Sequence, residues 1–513
     1  MMRTLASEGS GKCPAPDPAT VRSIIAGISL AMFLSVLEQT IVGPALPTIG
    51  ARLGDINALS WVSGAYLLSA TVATPLFGKL SDIYGRRCIL LTGISIFIVG
   101  SVACALAPKM WVLVAARAVQ GIGGGSILPI SHAIIGDMVP PKERARYQSR
   151  LAVIFMGASI SGPLIGGMLT DHLHWSLIFW INLPIGVLAL VISYQALARI
   201  PRNERQHALD WLGAGLMVSA TLALMLAMTW AGVRYPWTSW PIAALICGSA
   251  LLWFLFAWRI MTAAEPFVPL TVLSNCTGTL IAAFFSIGAL SGLSFFMPLY
   301  LQLSLRTSAL LSGIVLIAGM GGVVLGTLVG ATALARCRHY KRIPVAGLVV
   351  AIAALTVLAA DPDPSLTAVG ILLLLIGAGI GQMYPITTIL VQIAMARHQI
   401  GIATGTLNFF RLLGGTIIVA ALGAIVLADG TCGLTSSGAI GHGPTATGAL
   451  ACAGGPVSDL NSVFAWVFIA VAGCLTVAVA ALLMVEERPL AEAESPDPDE
   501  PWDDRCAVAP SPP

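Results

Sequence analysis

Charge is what this chain has least of. Only 10% of its 513 residues are Asp, Glu, Lys or Arg, against 57% hydrophobic, whereas a soluble domain carries about 25% charged residues. That scarcity excludes a soluble globule of ordinary composition, and no nucleic-acid partner is expected. Ligand spacing is missing too. The ten cysteines and seven histidines form no CxxC or His/Cys pattern, and His172-x-His174 has no third ligand nearby in sequence, so no metal or other cofactor is expected. There is no nucleotide-binding motif, no cluster of acids, histidines or nucleophiles near one face as a membrane enzyme needs, and no soluble domain of a size a sensor would require. Met1 to Thr20 is polar and Pro-rich, so a cleavable signal peptide is not expected.

Apolar runs of about 20 residues or more fill the chain, enough at 1.5 Å per residue to cross about 30 Å of hydrocarbon. Fourteen can be counted. Runs of that length predict helices, because spanning strands need only about ten alternating residues. Twenty-one of the 27 Lys and Arg fall in one set of connecting segments. Only Arg52, Lys109, Arg234 and Arg306 fall in the other set, and Arg117 and Arg411 lie within spans. The excess of basic residues marks the cytoplasmic side, which places both termini there.

Spacing of the runs divides the chain into a tail (1–22), a six-helix bundle (23–198), two linking spans (199–271), a second six-helix bundle (272–485) and a disordered tail (486–513). The last is acidic and Pro-rich. Within the second bundle, 429–461 reads as a flexible outer loop whose Cys432 and Cys452 can pair as a disulfide on the oxidising face. An internal echo relates the bundles: Gly121-x-Gly123-x-Gly125-x-x-x-Pro129 recurs as Gly377-x-Gly379-x-Gly381-x-x-x-Pro385. Parallel repeats of this kind build transporters whose substrate site lies between the halves. Close packing of Gly-rich helices is the plainer reading of the same residues.

One carboxylate, Glu38, stands deep in an apolar span. An acid at that depth is costly unless it faces a cavity or a partner, which makes it either the coupling group or a neutral polar tie between helices. Glu38 lies roughly 22 Å from the inner end of its helix and Arg117 roughly 9 Å from the outer start of its own, so their depths coincide. A buried arginine keeps its charge and favours an ionised carboxylate, while desolvation favours the neutral acid. A group balanced between the two can load and release a proton. Trp61, Tyr66, Trp175, Trp180, Phe409 and Phe410 are candidates for an aromatic cavity, and His132 reads as a packing residue.

Between the second and third spans, Gly78-Lys79-Leu80-Ser81-Asp82-Ile83-Tyr84-Gly85-Arg86-Arg87 sets Asp82 against Arg86 or Arg87 across a glycine turn. This stretch resembles the signature loop of the major facilitator superfamily. Further stretches resemble its fourteen-helix drug/proton antiporters of the EmrB/QacA type. Leu37-Glu38-x-Thr40-Ile41-Val42-x-x-Ala45-Leu46-Pro47 does so with Glu where Asp is usual, and so does Leu113-x-x-x-Arg117-x-x-Gln120-Gly121-x-Gly123. Gly162-Pro163-x-x-Gly166-Gly167 resembles the antiporter motif, with Ala158 at its usual leading glycine. Trp175-x-x-Ile178-Phe179-x-Ile181-Asn182-x-Pro184 and Arg411-x-x-Gly414-Gly415 also match.

The resemblance implies an all-α membrane protein of the major facilitator fold, two six-helix bundles plus two additional helices. It implies a proton-coupled exporter of hydrophobic, monocationic or neutral compounds, monomeric in the plasma (inner) membrane, or else an exporter of one endogenous lipid or secondary metabolite. Glu38, Arg117 and Gln120 would carry coupling. Gly78, Asp82, Gly85, Arg86, Arg87 and Asp137 would form a cytoplasmic latch, joined by Glu143 and Arg144. Gly162, Pro163, Gly166 and Gly167 would seal the fifth helix, with Asn182 and Arg411 as further site residues.

Overall fold

The computed structural model describes residues 18–53, 59–139, 141–198, 210–231, 235–263, 266–307, 309–336, 339–361, 364–396, 399–428, 432–433, 451–452 and 457–485. Its first bundle is built from α1 (Pro18–Leu53), α2 (Leu59–Tyr84), α3 (Arg86–Ala105), α4 (Met110–Met138), α5 (Pro141–His172), α6 (Leu177–Trp180) and α7 (Asn182–Leu197). The linking pair is α8 (Trp211–Trp230) and α9 (Trp240–Thr262). The second bundle holds α10 (Leu270–Leu303), α11 (Ala309–Arg336), α12 (Arg342–Ala360), α13 (Leu366–Gly381), α14 (Met383–Ala394), α15 (Ile400–Ala428) and α16 (Val457–Met484).

Thirteen spans among the described residues are long and apolar enough to cross a membrane, with α6–α7 and α13–α14 each counting as one. The 26-residue α2 is of membrane length as well, and it is packed between α4 and α15, where its serines and threonines meet protein. Leu164, Trp240, Leu251 and Met484 are exposed, a surface suited to lipid and not to water.

The glycine echo is a structural repeat. Gly121 and Gly125 of α4 lie against Tyr66 and Ala70 of α2, and Gly123 lies against Phe97 of α3. In the second bundle, Gly377 and Gly381 lie against Val323 of α11, and Gly379 lies against Ala351 of α12. Absent side chains let the fourth helix of each bundle approach the second and third backbone to backbone. The polar contacts repeat too: Thr74 Oγ1 donates to the Gly125 carbonyl at 3.0 Å, and Thr327 Oγ1 donates to the Gly381 carbonyl at 3.0 Å.

Each bundle has its own apolar core, one around Ile28, Leu90, Phe97 and Ile130, the other around Leu355, Ile380, Val467 and Leu475. The α8–α9 pair packs beside α2 and α15, where Met225 joins Leu68, Phe409 and Leu413. Within the expected outer loop β1 (Cys432–Gly433) and β2 (Ala451–Cys452) are antiparallel with Cys432 opposite Cys452. Residues 1–17, 199–209, 429–431, 434–450, 453–456 and 486–513 lie outside the described residues, and α1 and α16 start at Pro18 and Val457, inside the expected first tail and outer loop.

Candidate functional site

Glu38 is fully buried, and both of its oxygens are engaged. Arg117 Nη1 of α4 donates to Oε1 and Asn182 Nδ2 of α7 donates to Oε2. The same Arg117 Nη1 donates to Gln120 Oε1 at 2.6 Å, Arg117 Nε donates to the Val62 carbonyl at 2.9 Å, and Gln120 Nε2 donates to Ser101 Oγ at 2.7 Å. Rings close the cluster: the guanidinium carbon sits 4.4 Å from the Tyr66 ring centroid and 5.8 Å from that of Phe179. Five helices thus converge on one carboxylate. A buried ion pair persists only when hydrogen bonds satisfy its remaining donors and acceptors, which Val62, Ser101 and Gln120 do here. Two polar atoms are left over, for Asn182 Oδ1 and Tyr66 Oη are buried without a hydrogen-bond partner.

The second cluster ties the two bundles together. Gly85 takes φ +87°, the left-handed region open to glycine, and so turns α2 into α3. That turn brings Arg86 back to Asp82 and Ser81, and Arg86 Nε pairs with Asp137 Oδ2 of α4 at 2.8 Å. Asp82 then reaches across to the other bundle, accepting hydrogen bonds from Gly401 N at 3.0 Å and Ile402 N at 2.7 Å at the start of α15. The first amides of a helix lack intrahelical acceptors and carry partial positive charge, so a carboxylate there is favoured. Gly78 makes the approach possible, because a Cβ on it would fall 2.6 Å from the Gly401 carbonyl oxygen. Nearby, Gln392 Nε2 of α14 donates to the His132 carbonyl of α4 at 2.9 Å, which gives His132 a place at the seam between bundles.

Arg87 leaves the latch. It follows Arg86 by about 100° around the helix, and its guanidinium carbon lies 4.7 Å from the Tyr194 ring centroid. The side chains of Glu143, Arg144 and Pro163 lie outside the described residues, and α5 runs unbroken through Pro163. Gly162 and Gly166 pack against Thr40 and Ile41 of α1, one turn beyond Glu38, while Gly167 has open space. The α5 glycines therefore seal a seam within the first bundle. Arg411 of α15 is 5% exposed. Its donors reach Asn408 Oδ1 at 3.1 Å, the Tyr384 carbonyl at 2.9 Å, Thr387 Oγ1 at 2.7 Å and Thr388 Oγ1 at 2.9 Å.

The sequence profile described as Major Facilitator Superfamily matches residues 28–209 and 194–419. The chain belongs to the Major Facilitator Superfamily. It is similar to the multidrug transporter protein MdtP of Bacillus subtilis, 34% identical over 79% of this chain and 75% of that one, and to multidrug resistance protein 3 of the same organism, 30% identical over 79% and 80%. Among solved structures it resembles the proton:xylose symporter XylE, with a TM-score of 0.61 at 13% identity over 93% and 98% of the two chains. That likeness shows the shared fold.

Within this facilitator, Trp61 links five of the six expected aromatics, packing in one apolar cluster with Trp175 and Trp180 and in another with Phe409 and Phe410. Tyr66 stacks on Arg117, Trp175 is buried edge-on to Phe179, Trp61 meets Trp230 and Phe409 meets Trp253. Sequence reading missed Ser101, Val62 and Thr388. Ser101 follows Gly100, whose own Cβ would collide with the Gln120 backbone. The glycine beside a small polar residue was a signal of helix contact, but a backbone acceptor such as Val62 leaves no trace in a sequence.

Proposed function

We propose that this facilitator exports hydrophobic small molecules in exchange for protons by alternating access. Its bundles would rock about a site near the membrane middle, and the chain would act as a monomer in the plasma membrane with both termini cytoplasmic. One observation carries the reading: Glu38, the one acid set deep within a span, is held by Arg117 and Asn182. The names of its bacterial relatives support the export of drugs.

The surroundings of Glu38 suit a proton that comes and goes. When Glu38 is ionised, Arg117 matches its charge. Once it is protonated, the hydroxyl needs an acceptor, and a half-turn of the Asn182 amide presents Oδ1, an oxygen without a partner. Arg117 then keeps Gln120 Oε1, the Val62 carbonyl and two ring faces as counterparts for its charge. Gating would fall to the latch, where Asp82 grips α15 in the present state and lets go as the bundles part at that end. Neutral compounds fit this site directly. A monocation gains the charge of Glu38 only if Arg117 releases it.

The test is collapse of a pH gradient in inside-out vesicles on adding a broad panel of hydrophobic compounds. The proposal expects several to dissipate the gradient only when the protein is present. A panel that never does so, while the same vesicles move compounds with no gradient, would set proton coupling aside.

A further inference from the structure

We infer that Arg411 forms a subsite for a negatively charged group, so that hydrophobic carboxylates are favoured over matched cations. This rests on the export reading above and names the substrate class of that site. The span helices carry two deep cations, Arg117 and Arg411, and one deep acid, Glu38, which Arg117 already neutralises. On α10 to α15 there is no Asp or Glu at all. Each hydrogen-bond acceptor of Arg411 is a neutral amide, carbonyl or hydroxyl oxygen. The Arg411 Nε–H is buried with no acceptor.

A cation so placed is costly, because neutral dipoles replace hydration only in part and a donor is left over. An organic anion supplies what is missing, a counter-charge and an acceptor for that N–H. The Nε–H left over can take one carboxylate oxygen in a charge-assisted hydrogen bond. Its position fits a transport path. Arg411 lies about 16 Å along α15, the helix that packs against α2 and α4 of the opposite bundle. The Tyr384 ring centroid is 5.2 Å from its guanidinium carbon and 6.3 Å from the ring centroid of Phe155 on α5. The charge therefore stands behind an aromatic pair that bridges the two bundles. A quaternary ammonium brought there would add a second unmatched positive charge.

The experiment uses pyrenebutyrate, its N-methyl amide and its trimethylammonium analogue, which share one apolar body. Binding to the full-length protein in detergent is followed by pyrene fluorescence, and counterflow of each probe is measured in proteoliposomes. The carboxylate is expected to bind about tenfold or more tightly than the ammonium. Arg411→Gln should erase that preference while holding the amide within about twofold, and Arg411→Lys should keep part of it. If the Gln variant does not fold, the wild-type preference and the Lys variant decide. Equal or tighter binding of the ammonium overturns the inference, as does an equal loss of carboxylate and amide in Arg411→Gln. Counterflow of the amide without carboxylate preference leaves export standing and removes the anion subsite. Arg411-dependent carboxylate binding with no counterflow of any probe does the reverse.

Discussion

Asp82 of the first bundle accepts the Ile402 amide hydrogen of the second at 2.7 Å. One short carboxylate thus joins the two halves, and among the described residues neutral hydrogen bonds hold the same seam, Gln392 to the His132 carbonyl and Thr404 Oγ1 to the Pro129 carbonyl at 3.4 Å. A charge that is matched in one conformation and not in the other biases the equilibrium by the difference.

Asp82→Asn should therefore shift the protein away from the latched state. Losing the charge at a helix start is worth about 1–2 kcal/mol in a partly buried setting, a five- to thirtyfold change in population. Electron-resonance distances between spin labels at the latch ends of α2 and α15 will check this. A second, longer distance should grow in, and an unchanged distribution would sink the latch.

Removing Arg117 has a different consequence, since it leaves Glu38 buried beside an empty place. Breaking one member of a buried ion pair costs about 3–5 kcal/mol, whereas replacing both is far milder. Arg117→Gln should lower thermal stability in detergent markedly, and Arg117→Gln with Glu38→Gln should recover much of it. Additive losses in that double-mutant cycle would mean the two residues do not interact.

Asn182 offers a test of the proton-loading step. Asn182→Ala removes the donor to Glu38 Oε2 and the acceptor waiting on Oδ1, a loss of about 1–3 kcal/mol for a buried unsatisfied group. Gradient-driven export should fall while downhill exchange continues. Asn182→Gln, which returns an amide on a longer arm, should restore part of the coupling. An Ala variant as well coupled as wild type would exclude the amide turn.

Much of this was legible in the sequence because membrane helices write themselves in length and hydropathy. The fourteen runs counted in the sequence return among the described residues as thirteen apolar spans together with α2, and the glycine echo foretold equivalent helix contacts. Glu38 and Arg117 were legible as deep charges, Gln120 and Asn182 only through the family resemblance, and the four meet. What the sequence hid is direction around a helix. Arg86 and Arg87 are adjacent in the chain and part ways in space, one into the latch and the other onto Tyr194. Pairing was legible in part: the matched depths of Glu38 and Arg117 pointed to their ion pair, whereas only three-dimensional contact places Asn182 on the second oxygen.

The central claim is that protons move through Glu38, and one substitution tests it most directly. Glu38→Gln keeps the size of the side chain and one acceptor oxygen, and its NH2 can donate to Asn182 Oδ1 once that amide turns. It stands in for the protonated acid but cannot carry a titratable proton. In proteoliposomes holding equal amounts of folded protein, the variant should lose accumulation driven by a pH gradient while keeping counterflow of the same compound. Glu38→Asp should retain part of the accumulation, as Asp is the residue that the resemblance leads one to expect. Accumulation by Glu38→Gln at the wild-type level would contradict the account.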